Sequence, residues 1–467
     1  MAKSKELGLD KSGVQMTMRT RDYLADAGGQ LGINLAANLV GQMTYFYTDK
    51  VGVAVAGLGI VMFISKLIDA LTDVWFGNII DHSKGGNKKY YLWVKRMMIP
   101  FALSIILLFT VPTQYGSTVT LIYVLISNVF SSAVCMTMLG TPLGAIIVVR
   151  TNSQEERSKM GIFRAAFSYL SGMIAAIATI PVTNMLGGDQ AAWLKYATGV
   201  VVFSLIMLLI CYLNGRKAVF ADGSVGGAET EEEAVPLKES LRALFSNKYW
   251  VIVLLFNLIT QVTNFLSTSS GTYYTKWIFG NDNLVATMGL GGMLATLAGF
   301  LLSNKIISKL GVKRTIQMSP MASAIAIAIR SFFPTHFYLF FATSLISSFV
   351  QIPMMCLYGV LLSMAVDYNE YKTGKKMVSV ASGAIGIGTK VGGGLASIVI
   401  SVCLALGAYD ATLAEATTSM RYAIYSLCNY IPIVINIVVF LLISRFDLED
   451  RLPAIQAELA ERRQKSL

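Results

Sequence analysis

The sequence predicts an all-α membrane protein of twelve transmembrane helices arranged as two six-helix bundles. Three observations predict it: an apolar content too high for a water-soluble core, twelve apolar runs of bilayer length, and one long polar segment that parts them six and six. Of the 467 residues 54% are hydrophobic and 14% charged, with a mean hydropathy of +0.59. A helix needs about 20 apolar residues to cross a hydrocarbon layer of roughly 30 Å. Such runs fall near 30–48, 52–78, 95–112, 118–148, 162–186 and 193–213, then near 250–279, 284–304, 315–333, 337–365, 378–407 and 422–444.

These runs define a first bundle within 1–213, a linker at 214–249, a second bundle within 250–445 and a tail at 446–467. The linker has an acidic middle (Asp222, Glu229, Glu231, Glu232, Glu233) and ends in PLKESLRALFSN, which reads as a short amphipathic helix on the membrane surface. The formal charge of +11 does not point to nucleic acid. Most of the 38 Lys and Arg lie in alternate loops and the two ends, the positive-inside pattern, which places both termini in the cytoplasm of a plasma-membrane protein. MAKSKELGLDKSG has no cleavable leader pattern, so the first span is expected to direct insertion.

Five cysteines (Cys135, Cys211, Cys356, Cys403, Cys428) lie within apolar runs without metal-ligand spacing. With only His82 and His336 besides, a histidine-ligated metal or a catalytic triad has little material, and no enzyme activity or resident cofactor is expected.

The second run carries Asp69 and Asp73 one helical turn apart. A carboxylate at membrane depth costs about 2.5–3.5 kcal/mol on insertion scales, and two on one face repel unless a cation or base lies between them. The pair therefore reads as a cation site, with Lys66 one turn earlier on the same face; a purely structural Lys/Asp cluster is the alternative. GNIIDHSKGGNKKY after the second run also echoes SNKIISKLGVKRT after the eighth. A repeat at that distance implies two bundles related by a pseudo-two-fold axis along the membrane normal, with a ligand held at mid-depth between them. Together these features favour a secondary transporter over a channel.

Four segments, YFYTD (Tyr45–Asp49), SKLIDALTDVWFGNIID (Ser65–Asp81), TPLGAIIVVRTNSQEERSKMGIFR (Thr141–Arg164) and VDYNEYKTGKK (Val366–Lys376), resemble the glycoside–pentoside–hexuronide:cation symporters, the family of melibiose permease. The resemblance runs from about residue 19 to 463 and implies the major facilitator fold, a sugar as partner and Na+, Li+ or H+ as coupling ion. It implies a cation site at Asp69, Asp73 and Thr137, with Thr72 between the two carboxylates. Two departures stand out: Gly140 replaces an aspartate of melibiose permease that serves cation and sugar, and Gly144 replaces its sugar-stacking aromatic. The acidic sugar ligand of the first span aligns near Ile33, leaving Asn34 as the nearest polar side chain, while the basic positions Arg164 and Lys390 match.

A sugar site needs amides, carboxylates or arginine beside an aromatic platform. Asn34, Asn38 and Gln42 form one stripe on the first span, and Asn257, Gln261 and Asn264 another on the seventh, with Tyr45, Tyr273 and Tyr274 as platform candidates. Bridging of helices by these amides is the alternative. Lys390, in a run rich in small residues, is expected to face Asp69 and Asp73 across the bundles. With fewer acidic groups than the galactoside branch, the cavity is expected to suit a hexuronide held by Arg164 or Lys390. Asp81, Arg157, Asp367 and Glu370 are the gate candidates in cytoplasmic ion-pair networks. The expected function is symport of a glycoside, pentoside or hexuronide with Na+ or H+ by a monomer in a bacterial membrane; the loss at Gly140 leaves an uncoupled sugar uniporter or a sugar-sensing transceptor as the alternative.

Overall fold

The computed structural model describes residues 8, 9, 14–81, 83, 88–151, 153–215, 242–374, 378–449, 451, 452, 455 and 458. His82 and the acidic residues Asp222, Glu229, Glu231, Glu232 and Glu233 lie outside the described residues. Helix dominates; among the described residues the one β pairing is an isolated bridge between Leu9 and Gln15. Nine of the described helices are long and apolar enough to cross a membrane, by length and composition alone. The chain divides into two compact units, Met1–Glu231 and Glu232–Leu467. Among the described residues each contains six helical rods, consistent with twelve spans.

In the first unit the rods are Thr20–Val40 with a continuation over Met43–Tyr45 and Phe46–Lys50, then Val55–Asp81, Lys89–Phe109, Ser117–Val149, Gln154–Met185 and Gln190–Gly215. The first starts well before the apolar run does. Its early carboxylates explain why: Asp22 accepts from the Arg19 backbone N–H (2.7 Å) and the Asn214 amide (2.8 Å), and Asp26 is paired with Arg164. Charge that precedes the apolar run is thus neutralised inside the bundle. The fourth rod is continuous but changes pitch, with a π-helical segment, Val129–Met136, between two α-helical stretches.

The second unit comprises Lys248–Trp277, the long element Leu284–Ser331, Phe337–Cys356 followed after Leu357 by Tyr358–Thr373, then Val378–Leu406, and Thr418–Tyr425 running through Ser426–Tyr430 into Ile431–Ser444. Leu284–Ser331 is two rods joined without a loop. Gly311 turns the chain at φ +78°, a conformation that costs glycine little, and the Val312 and Lys313 N–H groups beyond it donate to Glu449 (3.0 and 2.7 Å). The basic stretch 305–314, expected as a loop, is thus helical on both sides of that glycine. Glu449 belongs to the expected tail, whose Phe446 and Leu448 are buried in the core of this unit.

Large apolar side chains such as Leu71, Trp75, Ile162 and Leu301 are exposed, as a lipid-facing surface requires. Rods pack closely where residues are small: a Cβ on Gly392 of the eleventh rod meets the Leu258 carbonyl of the seventh at 2.6 Å. A backbone atom there has little room to yield. Gly392→Leu is therefore expected to cost about 1–3 kcal/mol or more, read as a lowered melting temperature of the detergent-solubilised protein.

Candidate cation and sugar site

Asp69 is buried and Asp73 half-buried on the second rod, and both turn toward Thr137 on the fourth. The Thr137 hydroxyl lies 2.8 Å from Asp73 Oδ1, 3.3 Å from Asp69 Oδ1 and 3.2 Å from the Ser132 carbonyl oxygen. It has one hydrogen to donate and therefore serves only one of these three acceptors at a time. The Ser132 carbonyl comes into reach because the π-helical segment Val129–Met136 widens the turn before Thr137; such bulges recur at functional sites. Two carboxylates, a hydroxyl and a carbonyl make an all-oxygen set, suited to a hard cation or a proton. The Lys66 ammonium lies 4.0 Å from Asp69 Oδ2. Thr72 is turned differently: its hydroxyl donates to the Asp69 carbonyl of its own helix (3.1 Å).

Gly140 and Ile33, where melibiose permease has acidic side chains, face each other: a Cβ on Gly140 meets Ile33 Cδ1 at 3.6 Å. Both losses therefore fall at one place, which is now apolar. A Cβ on Gly144 meets nothing within 4 Å, so the missing aromatic leaves open space there.

The first and fifth rods are joined by a polar seam. Arg164 donates to both oxygens of Asp26 (2.6 and 2.7 Å), the Asn34 amide to Ser168 (2.7 Å), the Asn38 amide to Ser171 (3.4 Å), and the Gln42 amide to the Ala175 carbonyl (3.3 Å). Asn38 also donates to the Asn34 carbonyl (2.8 Å), and Gln30 reaches Asn34 Oδ1 at 3.5 Å. Asp26, Gln30, Asn34, Asn38 and Gln42 repeat every four residues, so they share one helix face. Sequence reasoning found the last three and missed Asp26, although extending the same spacing two turns back reaches it. The Arg164 guanidinium is already matched by a carboxylate, so it is not the free anion ligand expected for a hexuronide.

In the second unit Asn257 accepts a hydrogen bond from Thr389 (2.9 Å), which ties the seventh rod to the eleventh beside half-buried Lys390. Gln261 packs on the same contact, its Cβ 3.0 Å from where a Cβ on Gly392 would lie, and Asn264 is exposed one turn on. The aromatic platform expected from Tyr45, Tyr273 and Tyr274 is not available. All three are at most 1% exposed, packed on Trp193 (Tyr45), Tyr409 (Tyr273) and Phe340 (Tyr274), because aromatics at rod ends bury more surface against one another than in an open cleft. Arg330, buried in the same region, was not singled out from the sequence: it donates to Asn429 (2.8 Å), Ser344 (2.9 Å) and the Cys428 carbonyl (2.5 Å), and lies over the Phe340 ring.

Of the gate candidates, Arg157 donates from Nε to the Thr151 carbonyl (2.9 Å), and Asp367 and Glu370 are half-buried on Tyr358–Thr373. Asp81 ends the second rod; its side chain lies outside the described residues. Just beyond the second unit's last rod, Asp447 accepts from the Tyr249 hydroxyl (2.8 Å) and Lys248 (3.3 Å), which hold its carboxyl below the ordinary aspartate range.

Two helical units of membrane-crossing rods, with a carboxylate pair turned inward on a shared hydroxyl, define a multi-pass membrane transporter rather than an enzyme. Residues 27–450 match the family described as MFS/sugar transport protein. The chain belongs to that family, and its general role is sugar transport. It is 24% identical over 444 residues to the isoprimeverose transporter of Lactiplantibacillus pentosus, covering 91% of this chain and 87% of that one. It is 23% identical to the putative glycoside/cation symporter YagG of Escherichia coli strain K12, covering 90% of each. Among solved structures, a bacterial homologue of the human lysosomal transporter Spinster superposes with a TM-score of 0.67 at 14% identity, over 92% of this chain and 98% of that one. A mutant form of the nucleoside transporter NupG superposes at 0.64 with 13% identity, over 91% and 99%. These likenesses show the major facilitator architecture.

Proposed function

We propose that this protein is a symporter that couples entry of Na+ or H+ to uptake of a glycoside, pentoside or hexuronide by alternating access. The observation that carries the reading is the single Thr137 hydroxyl set among Asp69, Asp73 and the Ser132 carbonyl. A cation or proton there relieves the repulsion between two carboxylates in a low-dielectric interior, and the relief favours one arrangement of the second and fourth rods over another. If that arrangement also holds sugar better, each ligand raises the affinity for the other by the same factor. The relatives named as an isoprimeverose transporter and a glycoside/cation symporter support this reading.

Sugar hydroxyls are met in the first unit by Asn34, Asn38 and the Asp26–Arg164 pair, and in the second by Gln261, Asn264 and Lys390. A guanidinium already matched by a carboxylate carries no net charge to offer, yet keeps unused N–H donors beside carboxylate lone pairs. Such a pair suits a diol, which leaves Lys390 as the basic side chain proposed to meet a hexuronide carboxylate. Asp81, Arg157, Asp367 and Glu370 act at the cytoplasmic gate, both termini are cytoplasmic, and the monomer in the plasma membrane is the working unit.

Uptake of isoprimeverose and of a methyl glucuronide into proteoliposomes, under separate Na+ and pH gradients, tests the proposal. Accumulation that collapses with either gradient supports symport; gradient-independent equilibration supports the uniporter that Gly140 suggests. Thr137→Ala is expected to raise the cation concentration for half-maximal uptake about tenfold or more, the worth of a hydrogen bond to a charged group, while Thr137→Ser stays near wild type.

A further inference from the structure

We propose that Arg330 is the core of a binding site for one small monovalent anion of chloride's size, within the second unit among the ninth, tenth and twelfth rods. Arg330 lies near the end of the ninth rod, the part of Leu284–Ser331 beyond Gly311, and is 7% exposed. Its Nε donates to Asn429 Oδ1 (2.8 Å), its Nη1 to the Ser344 hydroxyl (2.9 Å) and its Nη2 to the Cys428 carbonyl (2.5 Å). All three acceptors are neutral. The Ser344 hydroxyl spends its own hydrogen on the Phe340 carbonyl (2.7 Å), and the guanidinium carbon lies 4.2 Å from the centroid of the Phe340 ring.

Dipoles and a ring do not cancel a full positive charge held out of water; an anion does. Arg164 of the first unit has one, with Asp26 on both prongs of its fork. Around Arg330 the titratable side chains that feel its charge are Cys428 and Tyr274, a thiol and a phenol that are neutral near pH 7, and among the described residues no carboxylate pairs with it.

Donors are also left over to receive an anion. A guanidinium has five N–H groups, and with three used two remain. Asn429 is 1% exposed, and its amide nitrogen makes no hydrogen bond among the described residues. The Tyr274 hydroxyl beside that amide is spent on the Pro334 carbonyl (2.8 Å). Buried donors left without an acceptor are costly, so one anion that takes these N–H groups offsets the charge and the unmade bonds together. The twelfth rod presents Asn429 and the Cys428 carbonyl from a π-helical turn, Ser426–Tyr430, much as the fourth presents the Ser132 carbonyl from its own. A lone positive charge is balanced by a single negative one, which selects a monovalent ion. The site goes beyond the symport reading and does not depend on which sugar or cation is carried.

Thermal unfolding of the full-length protein in detergent, in sodium chloride against sodium gluconate at equal ionic strength, tests the site without any sugar. The wild type is expected to melt about 2–4 °C or more higher in chloride, with a saturable dependence and with bromide equally effective. Asn429→Asp sets a carboxylate against Arg330 Nε, so it is expected to melt in gluconate as the wild type does in chloride and to lose the response to chloride. Arg330→Gln is expected to lose that response as well. Equal melting of the wild type in the two salts overturns the site; so does a chloride response that survives in Asn429→Asp, which marks an anion bound elsewhere. Wild-type crystals grown in bromide supply a second reading that needs no variant to fold: an anomalous peak within hydrogen-bond reach of Arg330 and Asn429 Nδ2 supports the site, and its absence overturns it. Failure of the wild type to carry isoprimeverose bears on the proposed function, while the melting and bromide results still decide the anion site.

Discussion

Asp73→Asn is expected to abolish concentrative sugar uptake while leaving the protein inserted and folded, and Asp69→Asn to do the same. Either change removes one of the two charges that meet at Thr137, where Asp73 and Asp69 stand 2.8 and 3.3 Å from its hydroxyl. The amide is nearly isosteric and can donate where the carboxylate accepted, so packing survives. What is lost is the charge repulsion that makes a visiting cation worth binding. The measurement is substrate accumulation in vesicles under Na+ and pH gradients, alongside entry down a sugar gradient alone. Variants that still concentrate sugar as the wild type does would remove the assignment of the pair as the coupling site.

The second large effect concerns stability. Asp26→Ala is expected to destabilise the first unit by about 3–5 kcal/mol, because it leaves the Arg164 guanidinium in a site only 12% exposed without its carboxylate. The paired change Asp26→Asn with Arg164→Gln is expected to recover most of that loss, since the interior then holds no unmatched charge. For scale, the exposed pair Lys159–Glu155 at 2.9 Å is expected to contribute well under about 1 kcal/mol, so Glu155→Ala serves as the control. Thermal unfolding in detergent reads all three. A small effect of Asp26→Ala, matching that of Glu155→Ala, would show that water reaches Arg164 freely.

The class of the fold was legible in the sequence because runs of about twenty apolar residues have few alternatives, and the carboxylate pair was legible because charge within such a run is costly enough to need a reason. Other features were hidden for physical reasons. Asp26 lies before the apolar run near 30–48 begins, so the apolar pattern does not single it out; only its partner on another rod makes its burial possible. Glu156 sits in QEERSK, a string that looks like exposed surface charge, and nothing in its composition reveals that backbone N–H groups from far earlier in the chain will surround it. The π-helical turn before Thr137 leaves no compositional trace, since its residues are as apolar as those around them. The tyrosines erred in the other direction. Tyr45, Tyr273 and Tyr274 have the chemistry of a sugar platform, but position at rod ends gave their rings better partners in neighbouring aromatics than in a ligand.

The seam from Asp26 to Gln42 has a bearing on how this transporter can be re-engineered. Because its Asp26, Asn34 and Asn38 rungs pair side chains supplied by two non-adjacent stretches of sequence, a chimaera that imports the first helix of a relative without the fifth replaces one side of each of those rungs. Grafts made by exchanging contiguous blocks will fail at that junction, whereas exchanging the two helices together preserves donor against acceptor. Substrate range in this scaffold is therefore best altered by moving paired, discontinuous segments.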